Sequence, residues 1–172
     1  ESPTHPWAEF RDKIKIVIIG DDVTSIGEGA FYDCASLEEV IIGSGDDYTH
    51  VGSPANFFSN YSFSQIIYTA DEIDKGNGFI TSISFRLQEN DFTRKIAIYM
   101  QNTDKEQFVD NTGYVAITED DLVFEGNVDF TPQTGGYVKI TLDTPFKYSG
   151  GNLLVSLDDN TGDYEDEVAF YH

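Results

Sequence analysis

Across 172 residues, thirty-one acidic side chains stand against ten basic ones, a formal charge of −21 that repels nucleic-acid phosphates and anionic membrane surfaces. No Lys/Arg cluster offsets it and no stretch reaches the ~18 apolar residues of a membrane helix, so neither a nucleic-acid partner nor membrane insertion is expected. One cysteine excludes an internal disulfide, while 13 Phe, 10 Tyr and 15 Gly favour strands and turns over helices.

No signal peptide opens the chain, and "ESPTHPW" reads as a processed or introduced start. The first periodic feature is a repeat. "IKIVIIG" (14–20) aligns with "LEEVIIG" (37–43), so that Val17 matches Val40, Ile19 matches Ile42 and Gly20 matches Gly43. The reading is a strand at 16–19, a turn at Gly20-Asp21-Asp22, a second extended piece at 23–26, a short helical segment at 29–34 and an equivalent strand at 39–42. Such a coil cannot bury its apolar edge alone and needs a neighbour.

"VTSIGEGAFYDCASL" (23–37) carries the motif Val23 to Gly27, Ala30-Phe31, Cys34 and Leu37. It resembles the BspA-type leucine-rich repeats of bacterial surface proteins. The resemblance covers residues 14–43, one repeat and the strand of a second, within a stub expected over 1–45, and it implies that Trp7 and Phe10 cap the first coil. Family members stack many repeats into a concave binding surface, and this chain departs from them in holding one. "SGDDYTHVGSPANFF" is rich in Gly, Ser, Asp and Pro, so residues 46–55 are expected as a linker.

From residue 56 onward the period is two. In "FITSISFRL" the alternation puts Phe79, Thr81, Ile83, Phe85 and Leu87 on one face. It likewise groups Ile96, Ile98 and Met100; Leu122, Phe124, Val128 and Phe130; Val138, Ile140 and Leu142; and Leu153, Val155 and Leu157. Further strands are expected at 61–68, 114–117 and 168–171. Turn signals separate them, among them Gly150-Gly151 and Asn160-Thr161-Gly162. Short strands at this spacing predict an antiparallel, jelly-roll-like β-sandwich over 56–172, which together with the leucine-rich-repeat stub that the resemblance implies makes a mainly β fold. "YSFSQIIYTADEI", "IAIYMQNTDKEQF" and "NLLVSLDDNTG" are similar to β-sandwich modules in exported proteins of Bacteroides and Porphyromonas relatives. Those modules are similar to adhesin domains carried behind secreted cysteine proteases and haemagglutinins.

Little in the chain points to catalysis. A reactive thiol needs a nearby base, and His5, His50 and His172 fall in expected linkers or termini, so Cys34 reads as a buried structural thiol. The histidines have no zinc spacing. Glycoside hydrolysis needs two carboxylates across a cleft. Glu38-Glu39, Glu119-Asp120-Asp121 and Asp158-Asp159 have no aromatic cleft motif around them. "DDNTGDYEDE" (158–167) is the strongest site candidate. Asp158, Asp159, Asn160 and Asp163 offer oxygens for a structural Ca2+, without the spacing of an EF-hand loop; a solvated turn is the plainer reading. Asp46 and Asp47 are a weaker pair. Aromatic residues in "NFFSNYSF" (56–63) with Tyr114, Tyr148, Tyr164 and Tyr171 could build a binding platform. Asn60-Tyr61-Ser62 is a glycosylation sequon, expected to be silent in a bacterium.

The resemblances imply a non-enzymatic protein, extracellular or on a bacterial cell surface, that binds a host protein or glycan. The alternative is an accessory module of a secreted protease or glycosidase whose catalytic domain lies outside this chain.

Overall fold

A computed structural model describes residues 7–10, 12–19, 39–42, 48–49, 54–73, 76–87, 91–110, 113–132, 136–165 and 168–171. The chain divides into two compact units, Glu1–Asp46 and Asp47–His172. The expected helical segment 29–34, Cys34, all three histidines and the Asp46-Asp47 pair lie outside the described residues.

In the first unit, a 3-10 turn at Ala8–Phe10 is closed by Phe10 N–H donating to Trp7 O at 2.9 Å. Trp7 is half-buried, whereas Phe10 is 50% exposed. Strand β1 (Ile16–Ile19) then pairs with β2 (Glu39–Ile42) in parallel, with Val17 opposite Val40 and Ile19 opposite Ile42. The strands fall where the apolar repeat places them, and their register is the repeat offset itself.

The second unit is mainly antiparallel β. Its elements are β3 (Tyr48–Thr49), β4 (Ser62–Tyr68), α1 (Ala70–Ile73), β5 (Gly78–Arg86), β6 (Thr93–Thr103), β7 (Leu122–Asp129), β8 (Tyr137–Tyr148), β9 (Asn152–Asp159) and β10 (Phe170–Tyr171). One sheet has the order β4-β9-β6-β7; β5 pairs with β8, and β10 with β3. The single turn of α1 is written locally: Thr69 N–H donates to Glu72 Oε2 at 2.7 Å, and Glu72 N–H donates back to Thr69 Oγ1 at 3.3 Å. This is a reciprocal cap over Thr-x-x-Glu.

Alternation fills one core between the four-stranded sheet and the β5–β8 pair. Ile96, Ile98, Met100, Val155 and Leu157 come from one side and Phe85, Val138 and Ile140 from the other, all nearly inaccessible. At one end of this core four rings meet: Phe57 lies 4.9 Å from Phe130, 5.4 Å from Phe92 and 5.4 Å from Phe170, centroid to centroid. Edge-on packing of this kind adds roughly 0.5–1.5 kcal/mol per pair beyond the area buried.

Four expectations are corrected. Residues 46–55, expected as a linker, contribute β3, which pairs with β10, and Ala55, which is 3% exposed in the core. Residues 114–117 form no strand; the side chains of Gln65 and Gln101 hold them instead. Within 168–171 only Phe170–Tyr171 form a strand. Finally, a register shift between Ile80 and Ser82 breaks the strict alternation of β5. Ile83 and Phe85 stay on the core side, Ile80 joins them, and Phe79 turns out to 70% exposure. Between these pairs β5 has one residue, Thr81, and β8 has four, Leu142 to Pro145; an irregularity of this kind changes which face the residues on either side of it take.

Candidate functional site

The outer face of the four-stranded sheet is where the second unit departs from a plain polar exterior. Along β9 the outward residues Leu154 and Ser156 are 0% and 1% exposed, although Leu153, Val155 and Leu157 already fill the inner side. The segment 113–118 lies beside the outside of this strand, joined to Ser156 through Gln65.

Two glutamines bind that segment down. The Gln65 side chain on β4 pairs with the Val115 backbone in both directions: Val115 N–H donates to Oε1 at 2.7 Å, and Nε2 donates to Val115 O at 2.9 Å. A primary amide has the same donor–acceptor arrangement as a peptide group, so Gln65 stands in for a neighbouring strand. Its Nε2 also donates to Ser156 Oγ at 2.9 Å. Two strands over, Gln101 Nε2 donates to Ala116 O at 3.2 Å and to Asp121 Oδ2 at 2.9 Å. The same Asp121 oxygen accepts from Thr118 N at 2.8 Å, closing the segment onto the short 3-10 turn at Glu119–Asp121.

This fastening places Tyr114 beside Phe63, with ring centroids 5.5 Å apart and planes tilted by 45°. Both remain exposed, Tyr114 at 57% and Phe63 at 38%. Tyr61, two residues before Phe63 on the same side of the chain, is 66% exposed. It lies against Gly162, whose φ is +83° and where a Cβ would stand 3.0 Å from the Tyr61 hydroxyl. Only glycine accepts that backbone and that proximity together.

Beside the rings runs a row of paired residues: Phe63 opposite Asp158, Asp158 opposite Ala97, and Ala97 opposite Glu125. Aromatic, carboxylate, small and carboxylate thus follow one another across four strands. One row further, Tyr99 sits opposite Ser156. Burial first, then the charges of Asp158, Glu119 and Glu125, push the Tyr99 phenol above its ordinary pKa. Three carboxylates therefore bear on one point of this face. Lys95 Nζ lies 3.6 Å from Glu125 Oε1, with both side chains more than half exposed.

The four residues expected as calcium ligands do not converge. Asp158 and Asp159 are neighbours on a strand and point to opposite faces. Asp158 lies on the outer row, where its Oδ2 accepts from Asn160 Nδ2 at 2.8 Å. Asp159 faces inward with no exposed surface. Its Oδ2 accepts from Arg94 Nε at 3.0 Å and Nη2 at 2.5 Å. Its Oδ1 accepts from Thr161 N at 3.0 Å and Thr161 Oγ1 at 2.6 Å. Asp163 Oδ1 accepts from Tyr164 N at 2.9 Å. Among the described residues, no three His, Cys, Asp or Glu side chains are grouped to hold a metal ion. Within this set the Asp159 carboxylate already accepts four protein hydrogen bonds.

The aromatic candidates divide. Phe63 and Tyr114 meet, Tyr61 flanks them, and Tyr164 is 54% exposed. Tyr148 and Phe57, expected in the platform, are core residues at 3% and 1% exposure. The Tyr171 side chain lies outside the described residues. No motif in the sequence singles out Gln65 or Gln101. Parity offered the signal, since Gln65 shares its face with Phe63, and Gln101 with Tyr99.

No protein-family model, curated protein or solved structure matches the chain.

Proposed function

We propose that this chain is a non-enzymatic binding and adhesion protein, working outside the cell or on a bacterial cell surface, with a host protein or glycan as its partner. The observation that carries the reading is the exposed Phe63–Tyr114 pair, locked in place on a sheet by Gln65 and Val115. Exposed rings that are preorganised lose little entropy on binding and bring a large contact area. The parallel register of β1 and β2, offset by the sequence repeat, supports taking the first unit as one coil of a leucine-rich-repeat solenoid. Two layers of antiparallel strands around one core support a jelly-roll-like second unit.

The test is to screen the chain against a panel of host matrix proteins and a glycan array, alongside the Phe63→Ala/Tyr114→Ala variant. The reading expects at least one partner whose binding the double substitution abolishes. A silent screen, or partners bound equally by both forms, overturns it.

A further inference from the structure

The outer row reads as a site for a cation rather than for a neutral ring. Phe63 and Tyr114 are exposed rings in contact, and the face of such a ring carries a negative quadrupole. Asp158 follows directly on the pairing register, and Glu125 closes the row across Ala97. Ala97 is the smallest side chain of the four, and it lies at the floor with 5% exposure. The Lys95–Glu125 contact at 3.6 Å is exposed on both sides, so an incoming cation displaces it at little cost. The whole chain, at −21, adds a long-range field of the same sign.

We propose that the row Phe63–Asp158–Ala97–Glu125, walled by Tyr114, takes a Lys- or Arg-bearing segment of a partner polypeptide. The proposal rests on the reading that this face is the binding surface, and it names the chemistry of the partner. An Arg or Lys side chain lies over Phe63 or Tyr114 with its charged head at Asp158. A second basic residue of the segment reaches Glu125. Charge complementarity of this kind raises the association rate and makes binding fall with salt.

Titration calorimetry on the full chain separates the possibilities, using three probes: a nonapeptide of alternating Arg and Gly, the same peptide with Glu for Arg, and a neutral glucose hexaose. The Arg peptide is expected to bind and the Glu peptide not. Asp158→Asn and Phe63→Ala/Tyr114→Ala should each weaken the Arg peptide by about tenfold, the scale of a cation–π contact joined to an ion pair. Glu106→Gln, the same charge change on the exposed loop after β6, should change it less than about twofold. If Glu106→Gln matches Asp158→Asn, the attraction is diffuse and the site is refuted. If the hexaose binds in a Phe63- and Tyr114-dependent way and the Arg peptide does not, the basic segment is refuted while the binding face stands. If neither probe binds and host partners ignore the Phe63/Tyr114 change, both fall.

Discussion

Arg94 and Asp159 form an ion pair with no exposed surface on either side chain, two hydrogen bonds deep, inside the second unit. The guanidinium also lies 5.0 Å above the Phe57 ring and donates to Ser59 O at 3.2 Å. Its Nη1 has no hydrogen-bond partner among the described residues. A buried pair of this kind costs much desolvation, yet removing one member leaves a bare charge.

The consequence is asymmetric. Arg94→Met alone or Asp159→Leu alone should each lower the unfolding free energy by about 3–5 kcal/mol, a large part of a domain's margin. The double variant should recover most of that loss, because two apolar side chains meet no unpaired charge. Urea denaturation of the four proteins gives the cycle. Single losses below about 1 kcal/mol would mean the pair behaves as a surface contact.

Gln65 is expected to matter beyond its own contacts. Gln65→Ala removes both bonds to Val115 and the one to Ser156. A net cost of about 1–3 kcal/mol follows from orphaned backbone groups. The sharper readout is local: amide exchange over 113–118 should quicken while the β6 and β9 amides keep their protection. Equal exchange in both forms would show that Gln65 does not hold the segment.

How far the sequence foretold this follows from what period and parity can carry. The strands of the second unit announced themselves through alternation, and the apolar repeat located β1 and β2. A local irregularity defeats parity, so Phe79, which alternation groups with Ile83 and Phe85, stands outside while they face the core. Composition misled at 46–55, because Gly, Ser and Asp say where a chain turns and not whether a short strand follows. The Arg94–Asp159 pair was within reach: Arg94 shares parity with Ile96 and Ile98, and Asp159 with Val155 and Leu157. Two opposite charges on inward positions imply a partner for each. The Tyr114–Phe63 contact was not within reach, since no sequence pattern brings residues 63 and 114 together without the register of four strands.

Calcium gives a direct check on the loop after β9. Each Asp159 oxygen accepts two protein hydrogen bonds, and Asp158 lies on the opposite face. Thermal melting in millimolar calcium and in EDTA should therefore give the same midpoint. A specific site filled at 100 times its dissociation constant would add about 2.7 kcal/mol by linkage. A rise of several degrees in calcium would show that Asp159 leaves Arg94 for the metal.

Alkaline pH probes the edge of the core at Tyr68. Burial, and secondarily the charge of Glu72, push its phenol up to about 12. A folded-state pKa above the unfolded value of 10.0 means the folded chain holds this proton more tightly. The stabilisation is complete below pH 10, shrinks as pH rises from 10, and is gone once pH passes 12. Its full size is on the order of 3 kcal/mol. Tyr148 and Tyr99 are shifted in the same direction, chiefly by burial, and deepen the fall. Tyr68→Phe keeps the ring and removes the titration, so its stability should decline less between pH 10 and 12 than that of the parent chain. Guanidinium unfolding at pH 8, 10 and 11.5 measures the difference. Parallel curves for the two proteins would mean that Tyr68 meets water in the folded state and that this edge of the core is open.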